Sequence, residues 1–134
     1  MRTPLLLCLA TTGCVFIDQP APAPVFPPIS QVSKLTVVRN GEISDPVKVE
    51  HFMSALHSLQ GKWSFTWHTY PTPQATVALG THSSSKDLCL VDIGPNWLGS
   101  TCGHTASGWP PFTSLTREQA VLFRGLVGGT WEVK

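Results

Sequence analysis

Along residues 33–39 apolar and polar side chains alternate and β-branched residues dominate, which predicts a strand. Asn40-Gly41 follows as a strong turn pair. The period then lengthens. Val49, Phe52, Met53, Leu56 and Leu59 recur at helical spacing, with Asp45 placed to cap the helix, Pro46 suited to its first turn and Gly61 to its end. Residues 62–70 alternate again, with Trp63, Phe65 and Trp67 on one side and Ser64, Thr66 and His68 on the other. That is a strand with one aromatic and one wet face. Pro71-Thr72-Pro73 turns the chain, and Ala75, Val77 and Leu79 read as the returning strand. After a polar loop at 82–86 come a strand at 88–93, a turn at Gly94-Pro95-Asn96 and a strand at 97–102. Residues 103–112 read as a loop containing Gly, Ser and Pro. Thr116-Arg117-Glu118-Gln119 is a capping-box pattern ahead of a second helix through Ala120, Leu122, Phe123, Leu126 and Val127, stopped by Gly128-Gly129. Residues 130–133 suit a short last strand.

The order β-α-β-β-β-β-α(-β) predicts an α+β fold, an antiparallel sheet of four to six strands with two helices on one face. A turn centred on Pro95-Asn96 sets Cys89 opposite Cys102 as a non-hydrogen-bonded pair, where side chains approach closely enough for a disulfide.

Ahead of this pattern the chain has a different character. Arg2 precedes a short apolar run, Leu5-Leu6-Leu7-Cys8-Leu9-Ala10, and then Thr11-Thr12-Gly13-Cys14. The run is far shorter than the roughly 20 apolar residues that span a bilayer, and it suits a secretory signal. Thr-Thr-Gly-Cys resembles the lipobox of bacterial lipoproteins. The resemblance implies that residues 1–13 are a signal peptide, that Cys14 carries lipid (a diacylglyceryl thioether and an acylated amine, palmitate among the chains), and that Gly13 is the small residue before the cut. Val15 stands where Asp would favour inner-membrane retention, so the resemblance implies an outer-membrane anchor facing the periplasm. Residues 14–31 include Pro20, Pro22, Pro24, Pro27 and Pro28, which favour an extended polyproline II tether. Within it, Val25-Phe26-Pro27-Pro28 also suits docking into a partner's groove. Residues 32–134 are then a single globular domain of about 100 residues, enough for one core.

Composition narrows the choice of partner. Charged residues are 13% of the chain and the formal net charge is +1, which falls to zero when Arg2 leaves with the signal. A neutral surface excludes nucleic acid, which needs many basic contacts. It also excludes adsorption to anionic lipid through a basic patch.

Catalytic patterns are weak. There is no G-x-S-x-G elbow and no Gly-rich phosphate loop. Ser107, His104 and Asp92 form a trio that any domain rich in Ser and His offers. His51 and His57 are six apart, about 120° around a helix, so they cannot share a metal as an i,i+4 pair would. His68, His82 and His104 would have to converge from a strand and two loops. No catalytic residue, metal or cofactor is therefore expected.

The more suggestive feature is aromatic. Trp97 and the loop Gly108-Trp109-Pro110-Pro111-Phe112 set large apolar groups in turn-rich segments. Trp97, Trp109 and Phe112 are the candidate binding surface, unless Trp109 and Phe112 fold down to cap the core. The expectation is a non-catalytic protein-binding module of the immunity, inhibitor or exclusion type. The alternatives are a structural accessory subunit of an envelope or secretion complex, and a metal-handling or hydrolytic protein.

Overall fold

The computed structural model describes residues 5–9, 13–17, 19–65, 70–81, 87–104 and 108–128, with only the backbone described in the first two segments. Trp67, His68, the 82–86 loop with His82, Ser107, the strand expected at 130–133 and the side chain of Cys14 lie outside the described residues.

Strands β1 (Leu5–Leu9) and β2 (Gly13–Ile17) form a two-stranded antiparallel sheet of their own. The domain follows. It runs β3 (Gln19–Ala21), a short 3-10 turn (Ile29–Gln31), β4 (Val32–Val37), β5 (Gly41–Ile43), α1 (Pro46–His57), β6 (Trp63–Phe65) and β7 (Ala75–Thr81). It continues through β8 (Asp87–Ile93), β9 (Trp97–Ser100), β10 (Phe112–Ser114) and α2 (Arg117–Val127). Eight strands make one antiparallel sheet in the order β3-β6-β10-β9-β8-β7-β4-β5. The fold is α+β, but the sheet is larger than the four to six strands expected. The additions, β3, β5 and β10, are three residues each, too short to show a period of two.

Register sorts the side chains cleanly. On the inner face lie Leu35, Val37, Val77, Leu79, Val91, Ile93, Leu98 and Trp63, all buried, packed with Val49, Phe52, Met53 and Leu56 of α1 and with Ala120, Phe123 and Val127 of α2. The helices meet at Phe52 and Phe123, ring centroids 5.5 Å apart and edge to face. Burying each such ring contributes about 1.5–3 kcal/mol relative to exposure. Both helix starts form as the sequence predicts. Asp45 accepts from the Val47 N–H at 3.0 Å, and Thr116 and Gln119 close a reciprocal capping box. Helix α1 ends before Gly61, because Ser58 turns its hydroxyl onto the Ala55 carbonyl at 2.8 Å.

The 93–98 hairpin has the expected register. Ile93 faces Leu98 and Val91 faces Ser100, and continuing that ladder brings Cys89 and Cys102 into a disulfide with Cα atoms 4.9 Å apart. The bonds Gly94 N–H to Trp97 O and Thr101 N–H to Leu90 O alternate with it, so the cysteines occupy a non-hydrogen-bonded site.

Two connections differ from expectation. Strand β7 does not return alongside β6. It pairs with β4 and β8, while β6 lies between β3 and β10. The link from Phe65 to Ala75 holds two prolines, too stiff and too long for a tight hairpin. It has to cross β10, β9 and β8 to reach β7, and it carries Tyr70 with it.

The second difference lies in residues 14–31, which from Gln19 onward are a strap rather than a free tether. Gln19 and Ala21 face Phe65 and Trp63 across the β3–β6 ladder. Phe26 packs on the core, 6.1 Å from the His57 ring and 6.2 Å from Trp63. His57 Nε2 lies 2.9 Å from the Pro27 carbonyl oxygen. From β3 to β4 the strap passes six strand positions, about 29 Å at normal strand spacing. Residues 22–28 in polyproline II geometry supply about 22 Å, and the three residues of the 3-10 turn add about 6 Å. The prolines thus provide a span across the sheet, and Val25-Phe26-Pro27-Pro28 docks on its own domain.

Candidate binding surface

The outer face of the sheet, opposite the helices, is where the sequence candidates meet. One cross-strand row there reads Ser64 on β6, Phe112 on β10, Gly99 on β9, Asp92 on β8 and Thr76 on β7. Gly99 leaves a gap in the middle of this row, and Tyr70 fills it. A Cβ at Gly99 would overlap the Tyr70 hydroxyl, so only glycine suits this approach.

The phenol is held from below. Tyr70 donates to one Asp92 carboxylate oxygen at 3.1 Å, and Thr76 donates to the other at 2.7 Å. Burial pushes the Tyr70 phenol far above its ordinary value, and the adjacent Asp92 charge and the hydrogen bond to it act in the same direction. It therefore stays protonated and keeps donating. Trp97 meets the Tyr70 ring edge to face at 5.4 Å, while Trp109 stacks on it at 5.4 Å with 17° between planes.

The three sequence candidates accordingly have different exposures. Trp97 is buried at 8% exposure, beneath Tyr70 and against Gly94. Phe112 is half-buried in the row. Trp109 is 52% exposed, with one ring face on Tyr70. Leu88 and Leu90 of β8 add further exposed apolar surface on the same side. Trp97 and Phe112 thus build a support, and Trp109 presents the exposed ring. Tyr70, Asp92 and Thr76, which position it, were not singled out as a binding group in the sequence. The available signal was Gly99 inside a strand, since an isolated glycine there marks a close approach.

Among the described residues the other candidate chemistry does not assemble, and Ser107, His68 and His82 lie outside them. Asp92 bonds Tyr70 and Thr76, not His104. His104 sits beside Phe65, ring centroids 6.0 Å apart, with a buried Nε2 that meets no hydrogen-bond partner among the described residues. His51 is exposed, and His57 holds the strap. Among the described residues no three His, Cys, Asp or Glu side chains gather as a metal site would need. A groove of about 410 Å³ lies between the 3-10 turn and the start of α1, lined by Ile29, Ser33, Pro46 and Glu50 among others, and holds none of the sequence candidates. No helix among the described residues is long and apolar enough to cross a membrane. Comparisons with protein-family models, with curated proteins and with solved structures returned no match.

Proposed function

We propose that this chain is an outer-membrane lipoprotein, anchored through Cys14 and facing the periplasm, whose domain is a non-catalytic protein-binding module of the immunity, inhibitor or exclusion type. The observation that carries the reading is Trp109, more than half exposed yet stacked on a phenol that is itself hydrogen-bonded into the sheet. An indole fixed this way loses little conformational freedom on binding, which is what makes Trp effective at the centre of an interface. The polar groups beneath it, Tyr70, Asp92 and Thr76, bond to one another, which suits a support. Affinity then needs only a shaped patch.

The test is in-cell crosslinking and recovery of the lipidated protein, compared with Trp109→Ala. One stoichiometric partner is expected, with recovery reduced at least tenfold in the variant and its melting temperature close to the parent's, because the indole is half in water. Several subunits of one envelope complex would instead favour the accessory-subunit alternative. Undiminished recovery would remove Trp109 from the interface.

A further inference from the structure

Where the chain enters the sheet limits what the outer face can reach. Gln19 begins β3 opposite Phe65, and Phe112 begins β10 opposite Ser64, so the chain entry and the Trp109 loop share one end of the sheet. Strand β10 is two places from β3, which puts the base of that loop about 10 Å from Gln19. The strap lends no length, because its ladder, Phe26 and the His57–Pro27 contact bind it to the domain. Between Cys14 and Gln19 there remain four residues, Val15 to Asp18. Fully extended they span at most about 17 Å.

We propose that the partner of the outer face is an integral protein of the same membrane that holds Cys14, engaged through Trp109 and Leu90 within roughly 40 Å of the bilayer. This rests on the anchor and binding readings above. Confinement to one thin layer raises the effective concentration of a membrane-embedded partner without any new contact, and a short tether maximises that gain. The bilayer itself is a poorer occupant. Lys34 on the outer face is paired with Glu42 at 3.4 Å, and Asp92 adds a negative charge. Anionic headgroups gain little from a lysine already paired with a carboxylate.

A photo-crosslinking residue placed at Leu90, which is 39% exposed and leaves Trp109 intact, reads the occupant in cells. The same residue at Val121, exposed on α2, is the control position. The expected adduct at position 90 is an integral membrane protein, absent from position 121. Inserting a Gly/Ser segment of about 40 residues between Asp18 and Gln19 adds roughly 35 Å of root-mean-square reach, and the adduct yield should fall several-fold. A soluble periplasmic adduct, lipid adducts alone, no adduct, or a yield indifferent to the insert each overturns the proposal. Lipid labelling of the same strain separates the two failures. Labelled Cys14 with a wrong adduct sinks only the partner assignment, whereas absence of label sinks the anchor and this inference with it.

Discussion

Tyr70 is the single tyrosine of the chain, so its phenol can be followed alone by near-ultraviolet absorbance. An unfolded tyrosine releases its proton near pH 10. In the folded domain, burial and then Asp92 hold the proton on well beyond that point. Above pH 10 the native state therefore binds more protons than the unfolded chain, and stability falls as pH rises. The contribution is complete below about pH 10 and is lost progressively above it. Folded protein should show no phenolate until it unfolds, whereas urea-unfolded protein should titrate normally. Tyr70→Phe should flatten the alkaline decline in urea midpoint. A phenol that titrates near 10 in the folded protein would mean that the Tyr70–Asp92 pair is open in solution. None of this was readable from the sequence, where Tyr70 is one aromatic residue before a proline. Its role arises from a connection that crosses three strands, and local pattern does not record which strands a connection crosses.

At the scale of elements, what the sequence shows depends on how many residues carry the signal. Helices α1 and α2 are marked by periodic apolar positions and by caps that compete for few alternatives, so their starts are legible. The 93–98 hairpin is legible because two strands and a turn fix one register, which a disulfide then confirms. Strands β3, β5 and β10 are not legible. Three residues bury too little to show alternation, and Pro20 and Gly41 are residues that strands usually avoid. The β4–β5 turn also shifts: Val37 faces Gly41, and Arg39 takes a positive φ of 72°. Two measurements test the elements. Cys89→Ser opens a loop whose ends are 13 residues apart, and should cost about 3 kcal/mol. For a domain of this size that lowers the melting temperature by more than about 10 °C. The intact protein should show no free thiol from this pair after denaturation, and two would refute the bridge. Phe26→Ala should cost about 2 kcal/mol, less than a fully buried ring because Phe26 is half-buried. It should also speed proteolysis within residues 19–31. A free spacer would show neither effect.

Over the whole molecule, the strap changes what the proline-rich segment is for. Composition alone cannot separate a polyproline spacer from a polyproline strap, because both need the same stiff, extended backbone. What distinguishes them is a single aromatic residue with somewhere to go, and that depends on a slot beside Trp63 and His57 assembled from distant parts of the chain. The charge balance reaches the same scale more directly. With 13% charged residues and a net charge near zero, a basic surface is a poor means of membrane attachment for this chain. On the proposed reading, lipid on Cys14 would supply the hold, since each buried methylene contributes about 0.8 kcal/mol and two or more chains anchor stably. Cys14→Ala should therefore move the protein from the membrane fraction to a soluble or unprocessed form and abolish labelling by a radioactive fatty acid. The domain should be unaffected, with its melting temperature and the silent Tyr70 titration retained, because no described core contact involves that residue. Undiminished labelling in the variant would place the lipid elsewhere. A fractionation pattern unchanged by the substitution would mean that the folded domain, not an acyl chain, holds the protein at the membrane.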